Sequence, residues 1–226
     1  MFSLVIPLFN ESRNIKFLLK EIKNDLIDYK NYEIILVNDA STDNTSYVIN
    51  NLSFNNIKII TNNKNKGQSF SIYEGIKKSS FSTIVTLDGD GQNDPADILK
   101  LYELYASHED VKLIGGIRRN RKDNFTKIIS SKIANFIRSR ILNDECEDTG
   151  CALKVFDKRI FLSFPMFNGI HRFLPALFKG YGYKTLFVDV NHRKRIHGKS
   201  KYGTMNRLFA GIRDIIKVNK ILKTKL

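Results

Sequence analysis

The chain has 226 residues, 42% of them apolar and 11% aromatic, with four prolines; this composition describes one packed domain, or a domain with a small appendage, and excludes a disordered chain. The net charge is +14, but residues 1–110 hold 11 Lys/Arg against 15 Asp/Glu whereas residues 111–226 hold 26 against 8. An acidic front joined to a basic back calls for an anionic partner at the back (phosphates, nucleic acid or an anionic lipid surface) and argues against a uniformly basic nucleic-acid coat.

Residues 2–6 predict a short apolar strand ending at Pro7. Ile15, Leu18, Leu19, Ile22 and Leu26 then fall on one face of an amphipathic helix, with Ser12 as its candidate N-cap. Residues 33–37 form a second apolar run and 43–52 a short helix. A third strand is expected over 57–61, followed by Gly67 and a helix near 68–78. The fourth strand, 83–87, leads to a helix opened by Pro95 and running to about Ala106, then to a strand at 111–114. Strands alternating with helices over short connections predict an α/β fold with a mostly parallel central sheet and helices on both faces. In such sheets ligands bind beyond the carboxyl ends of the strands.

The basic half carries two further helical patterns. Residues 124–142 place Phe125, Ile128, Ile129, Ile133, Phe136 and Ile137 at helical spacing, with Lys127, Lys132, Arg138 and Arg140 alongside. Residues 204–222 place Met205, Leu208, Phe209, Ile212, Ile215, Ile216 and Leu222 on one stripe flanked by Arg213, Lys217 and Lys220. An apolar stripe with a basic border suits a helix lying on an anionic membrane surface. The alternative is a pair of helices packed on the core with solvated lysines. The expected organisation is a domain over 1–203 followed by a basic amphipathic helix over 204–226.

No apolar run approaches the roughly 20 residues of a membrane span. The start, Met1-Phe2-Ser3-Leu4-Val5-Ile6, lacks the features of a secretory signal. Cys146 and Cys151 are too few for a disulfide framework or a four-ligand zinc site and read as reduced thiols. The expected location is cytoplasmic, peripheral at the inner face of the membrane.

The residues just past each strand are polar. Pro7, Asn10 and Glu11 come after the first; Asn38, Asp39, Ser41, Thr42 and Asp43 after the second; Asn65, Lys66 and Gly67 after the third; Asp88, Gly89, Asp90, Gly91 and Gln92 after the fourth. Asp43 alone reads as a helix cap, but four polar loops at one sheet edge read as a site. Asp88 and Asp90, at alternate positions, can aim two carboxylates the same way, and the adjacent glycines permit close approach of a ligand. With Gln92 they make an all-oxygen set suited to Mg²⁺ or Mn²⁺, the remaining positions falling to water and phosphate. Such a metal would neutralise a diphosphate leaving group. Neither a Gly-rich loop ending in Lys-Ser/Thr nor a G-x-G-x-x-G comes after the first strand, which argues against a P-loop enzyme and a dinucleotide oxidoreductase. In His171-Arg172 the arginine is within reach of a phosphate and the histidine reads equally as a satisfied structural one; His197 neighbours the basic loop. No Ser/His/Asp constellation is legible.

The ordered set Val5-Ile6-Pro7-Leu8-Phe9-Asn10-Glu11, Val37-Asn38-Asp39-Ala40-Ser41-Thr42-Asp43, Asn65-Lys66-Gly67 and Leu87-Asp88-Gly89-Asp90-Gly91-Gln92 resembles glycosyltransferase family 2. Asp148-Thr149-Gly150-Cys151 and the run from Arg195 to Gly203 are similar to its polyprenyl-phosphate enzymes of the dolichol-phosphate mannosyltransferase type. The resemblance implies a GT-A fold and an inverting, metal-dependent transfer of a sugar from a UDP- or GDP-linked donor to a polyprenyl phosphate. By position it places Pro7, Asn10, Glu11, Asp39, Ser41 and Gly67 at the nucleotide, and Asp88, Asp90 and Gln92 at the metal and diphosphate. Arg195, Ser200 and Lys201 would meet a phosphate of acceptor or donor. Asp90, Asp148 and Arg195 would act in the chemistry, Asp148 by orienting the acceptor or stabilising an oxocarbenium-like centre, with loop capping as its alternative.

Where many members have two acids at the second motif, this chain has Asn38 and Asp39. Many also carry C-terminal membrane helices, of which the sequence to Leu226 shows none, so an anionic membrane surface and a membrane-protein partner are expected. A glycan or glycolipid acceptor is the competing enzymatic reading. Nucleic-acid binding is disfavoured, because no RNP, zinc-finger or helix-turn-helix signature is present.

Overall fold

A computed structural model describes residues 1–52, 54, 56–119, 135–195 and 204–224, apart from the side chains of 204–210 and 212. The expected residues Phe125, Lys127, Ile128, Ile129, Lys132, Ile133, His197, Ser200 and Lys201 lie outside this set, as do the side chains of Met205, Leu208, Phe209 and Ile212. Seven strands form one sheet: β1 (Phe2–Leu8), β2 (Tyr32–Asn38), β3 (Ile57–Thr61), β4 (Thr83–Thr86), β5 (Val111–Ile117), β6 (Lys154–Asp157) and β7 (Lys184–Asp189). The order is β3-β2-β1-β4-β6-β5-β7. β3, β2, β1 and β4 are parallel, β6 runs antiparallel to both its neighbours, and β5 pairs in parallel with β7.

The first four strands and their helices keep the alternation seen in the sequence: α1 (Ile15–Asp25), α2 (Thr45–Asn50), α3 (Gln68–Lys77) and α4 (Asp97–Ser107). The side chains alternate across the sheet as a pleated strand requires. Leu4, Ile6, Ile34 and Leu36 face α1 and α4 in one core layer, which also holds Leu18, Ile22, Ile98 and Leu101. Val5, Ile35 and Val37 face α3 in the other, with Ile72, Ile76, Phe156 and Phe161. At Gly75, α3 comes so close to the sheet that a Cβ would stand 2.5 Å from Val5 Cγ1 and 2.9 Å from Val37 Cγ2.

The start of α1 differs from expectation. Its N-cap position is Asn14, and Ser12 instead turns its hydroxyl and amide to Asp43, at 2.7 and 3.3 Å. Asp43 also accepts from the Thr45 amide at 2.9 Å, but from one position ahead of the cap: the N-cap of α2 is Asn44, whose side chain makes no capping bond.

The second half builds α5 (helical over 135–142), α6 (Lys158–Ser163), a 3-10 turn (Ile170–Arg172), α7 (Leu174–Gly180) and α8 (Thr204–Thr224). The described half of α8 packs back on the domain. Val218 is fully buried and Ile215 and Leu222 lean on the α3-side core. Asp214 pairs with Arg172 at 2.9 Å, and Lys217 Nζ lies 5.2 Å from the centre of the Phe167 ring. Ile216, Arg213 and Lys220 face outward. In α5 the expected polarity is inverted: Arg138 is 4% exposed, whereas Phe136 and Ile137 are 60% and 48% exposed. The cause is local, since Asp144, Cys146 and Thr149 in the next loop need a buried donor and Arg138 supplies it.

Candidate active site

A cleft of about 210 Å³ opens where β1 and β4 end side by side, the position at which the strand order reverses direction and α/β sheets bind ligands. Pro7, Leu8, Phe9 and Glu11 contribute from the β1 exit and Asp39 from the β2 exit. Asn65 and Gly67 come from the β3–α3 turn and Gln68 and Ser71 from the first turn of α3, and Asp88, Gly89, Asp90 and Arg195 complete the lining. A Cβ on Gly89 would meet Leu8 Cδ2 at 2.4 Å and the Pro7 carbonyl at 3.3 Å; the missing side chain lets the two strand exits touch.

Several polar residues act as joints. Asn10, at φ 57°, receives the Thr42 amide at 2.8 Å on its side-chain oxygen and donates its own amide to Ser41 Oγ at 2.9 Å. Asn10 and Ser41 thus lock the β1 and β2 exit loops together and do not line the cleft. Asp39 accepts from Asn62 Nδ2 (2.7 Å), the Lys66 amide (2.9 Å) and the Gly67 amide (2.8 Å). It lines the cleft while fixing the turn into α3. Glu11 accepts from Asn14 Nδ2 at 2.7 Å, and its amide donates to Thr45 Oγ1 at 2.9 Å.

The chemistry-bearing residues converge on Asp88 and Asp90. Gln68 Nε2 donates to Asp88 Oδ1 at 2.7 Å. Burial first, then the neighbouring charge of Asp90, push the Asp88 carboxyl up to about 7, against the pull of Arg118, Lys154 and Arg195. Arg195 binds the Asp90 carboxylate directly and lies 3.4 Å from Gln92 Oε1. Arg118, just past β5, grips Asp148 with Nε and a terminal nitrogen at 2.7 and 2.8 Å. Buried Lys154 donates to the carbonyls of Thr149 and Cys151, and its burial lowers its basicity. Glu11, Asp39, Asp88 and Asp90 therefore line the cleft together with Arg195, while Arg118 and Lys154 act on Asp88 by their charge without lining it.

Arg195 is delivered by a strap. Asn93 and His192 form a bridge, and the Arg193 amide donates to the Gln92 carbonyl at 2.8 Å. The Arg193 guanidinium spans from Glu21 Oε1 (2.8 Å) to Asp94 Oδ1 (2.5 Å). His171 is a satisfied structural histidine. Its Nδ1 meets Ser69 Oγ at 2.7 Å, and burial drops its pKa to about 3.

Of the sequence-predicted residues, Pro7, Glu11, Asp39, Gly67, Asp88, Asp90 and Arg195 share the cleft. Gln92 stands at its edge, its amide bonded to Asp90 Oδ1 at 3.1 Å. Asp148 is held by Arg118, and Ser200 and Lys201 lie outside the described residues. The sequence reading missed Gln68, Arg118 and Lys154. Only Lys154 left a signal, a lone charge inside the apolar run from Leu153 to Phe156. Among the described residues, no three His, Cys, Asp or Glu side chains converge as a metal cage. Two carboxylates and an amide oxygen that already face a cation nevertheless fit a hard divalent ion that takes its other oxygens from phosphate and water.

A switch-point cleft with an acidic floor on this sheet is that of a nucleotide-diphosphate-sugar transferase of GT-A type. Residues 3–163 match the glycosyl transferase family 2 model, and the chain belongs to that family. It is 34% identical over 232 residues to dodecaprenyl-phosphate galacturonate synthase of Rhizobium johnstonii, covering 99% of this chain and 68% of the relative. It is 30% identical over 209 residues to undecaprenyl-phosphate 4-deoxy-4-formamido-L-arabinose transferase of Aeromonas hydrophila, covering 90% and 63%. The chain thus spans about two thirds of the length of these relatives. The fold is shared with glucosyl-3-phosphoglycerate synthase from Mycobacterium tuberculosis in complex with Mn²⁺, UDP and glucosyl-3-phosphoglycerate. That match has a TM-score of 0.70 at 16% identity and covers 96% of this chain and 78% of the other. A complex of the same protein with Mg²⁺ and UDP has a TM-score of 0.69 at 16% identity, covering 96% and 77%.

Proposed function

We propose that this glycosyltransferase moves a sugar, with inversion, from a nucleotide diphosphate to the phosphate of a polyprenyl phosphate at an anionic membrane surface. The observation that carries the reading is the acidic cleft at the switch point of the sheet, lined by Glu11, Asp39, Asp88 and Asp90 with Arg195 on Asp90 and the charges of Arg118 and Lys154 acting on Asp88. A divalent cation would meet the excess of carboxylates, and a donor diphosphate would meet that cation and the basic side chains. The names of both relatives specify a polyprenyl phosphate, which supports the choice of acceptor.

Asp88, Asp90 and Gln92 would hold Mg²⁺ or Mn²⁺, which when bound neutralises charge developing on the departing diphosphate. The protein needs no strong base, because an acceptor phosphate is already anionic near neutral pH. Its part is positioning, charge complementarity and exclusion of water. The β1, β2 and β3 exits shape the nucleotide cleft, Arg195 with Ser200 and Lys201 binds phosphate, and Asp148 orients the acceptor. The outward apolar residues of α5, with Arg140 stacked 5.2 Å from the Phe136 ring centre, support contact with the lipid surface.

The test is transfer from radiolabelled UDP- and GDP-sugars to a short polyprenyl phosphate with Mn²⁺, Mg²⁺ or EDTA. A metal-dependent, organic-extractable product is expected. Nucleotide-sugar binding with transfer only to a glycan overturns the acceptor, and the absence of both binding and product overturns the reading.

A further inference from the structure

We propose that Arg138 is a positioning residue: acting through Thr149, it sets where the Asp148–Arg118 pair stands beside Asp88. The inference rests on the reading of this cleft as the transfer site. Arg138 projects from α5 into the interior, and its whole fork is engaged. One terminal nitrogen donates to Asn135 Oδ1 at 2.9 Å and to Thr149 Oγ1. The other donates to Asp144 Oδ1 at 3.2 Å and to the Cys146 carbonyl. Nε lies 2.8 Å from Asp144 Oδ2, a charge contact whose angle falls outside hydrogen-bond geometry.

Within the loop the Cys146 amide donates to Asp144 Oδ1 at 3.2 Å, and further ties come from outside it. Asn143 and Glu145 have φ of 50° and 55°, conformations that persist only where surrounding contacts impose them. Asn135 Nδ2 adds a bond to the Glu147 carbonyl at 2.8 Å, so positions 144, 146, 147 and 149 are all tied to α5 or to its arginine. Asp148 sits between the last two ties. Its carboxylate receives the Arg118 fork and also the Arg118 amide, at 3.2 Å, and the Arg118 charge acts on Asp88. A displacement of Thr149 is therefore passed to Arg118 through one rigid bidentate pair. Lysine at 138 would keep the charge but lose the fork, since an ammonium is a point charge with three donors.

The decisive pair is Thr149→Val, which keeps the branched shape and removes the acceptor, and Thr149→Ser, which keeps the hydroxyl. Thr149→Val is expected to lower kcat by about tenfold or more with donor KM nearly unchanged, because small misplacements at a reacting centre are costly. Amide hydrogen exchange at Arg118 is expected to speed up by about tenfold or more as its acceptor drifts. Thr149→Ser restores both, and Arg138→Lys repeats the valine phenotype, carrying the test if Thr149→Val does not fold. Wild-type kcat and Arg118 protection in Thr149→Val overturn the proposal. So does a rise in donor KM that matches the fall in kcat, since the loop would then be shaping the nucleotide cleft. If the wild-type chain transfers to no acceptor, the functional reading fails, and Arg118 exchange in the Val and Ser variants still decides the positioning role.

Discussion

The guanidinium of Arg195 lies on the carboxylate of Asp90, joining a residue past β7 to one past β4 across the mouth of the cleft. A cation from the basic half thus already stands at the acid proposed to hold the metal. Asp90→Asn is expected to reduce transfer by about a hundredfold or more, the scale of losing a principal electrostatic contact. Circular dichroism and Tm should stay close to wild type. Metal-dependent turnover at the wild-type rate in this variant refutes the role of Asp90.

Asp88 gives the metal-free chain a pH signature. Its folded pKa of about 7 lies above the ordinary 3.8, so the folded state holds a proton that the unfolded chain releases. This group's contribution to stability is therefore greatest below about pH 4 and is lost as pH rises towards 7. Asp88→Asn removes the penalty. At pH 8 the metal-free variant should be more stable than wild type by a few kcal/mol, a gap that closes towards pH 4 in denaturant titrations. A gap independent of pH counts against the buried carboxyl.

His171 acts with the opposite slope. Its folded pKa of about 3 lies below the ordinary 6.5, so the unfolded chain takes up a proton that the folded state refuses, and stability falls as pH drops from 6.5 to 3. His171→Gln should flatten acid unfolding in that window while costing about 1 kcal/mol at pH 7 for the altered bond to Ser69. Unfolding curves recorded at pH 7 and pH 4 separate the two effects.

Gly75→Ala should destabilise the fold by about 1–3 kcal/mol, because the new methyl meets two branched, fully buried valines. The thermal midpoint should fall by several degrees, and nucleotide-sugar affinity should fall with it if α3 carries Gln68 away from Asp88. An unchanged midpoint means that α3 sits farther from the sheet.

The exposed face of α5 predicts lipid contact. Replacing Phe136 and Ile137 together by serine should weaken sedimentation with anionic vesicles while leaving the Tm near wild type, since both side chains are exposed, by 60% and 48%. Equal sedimentation of the double variant assigns membrane contact elsewhere.

The parallel half of the sheet was legible in the sequence because its strands are short apolar runs and its helices keep strict apolar spacing. Residues 57–61 and 68–77 fall where the pattern places them. β6 was not, because four residues with a lysine at their head carry no periodicity. Its direction is set by β4 and β5 on either side, which no local pattern records. The same reason hid Arg118 and Lys154, whose importance comes from what lies opposite them. Asn10 and Ser41 were legible as polar loop residues, but only the fold shows that they bond each other. Arg138 read as part of the basic border of an amphipathic helix because helical spacing reports the face of a side chain, not the loop folded over it.

The reversed strand also bears on how the chain is made. Thr83 of β4 pairs with Asp157 of β6, so the edge beside the acidic turn stays open during synthesis until the basic half has left the ribosome. Phe156 and Phe161, which complete the core behind α3, arrive at the same moment. The acidic and basic halves are therefore not separable folding units. Nascent chains arrested before residue 154 should engage chaperones and expose an edge prone to pairing with other chains.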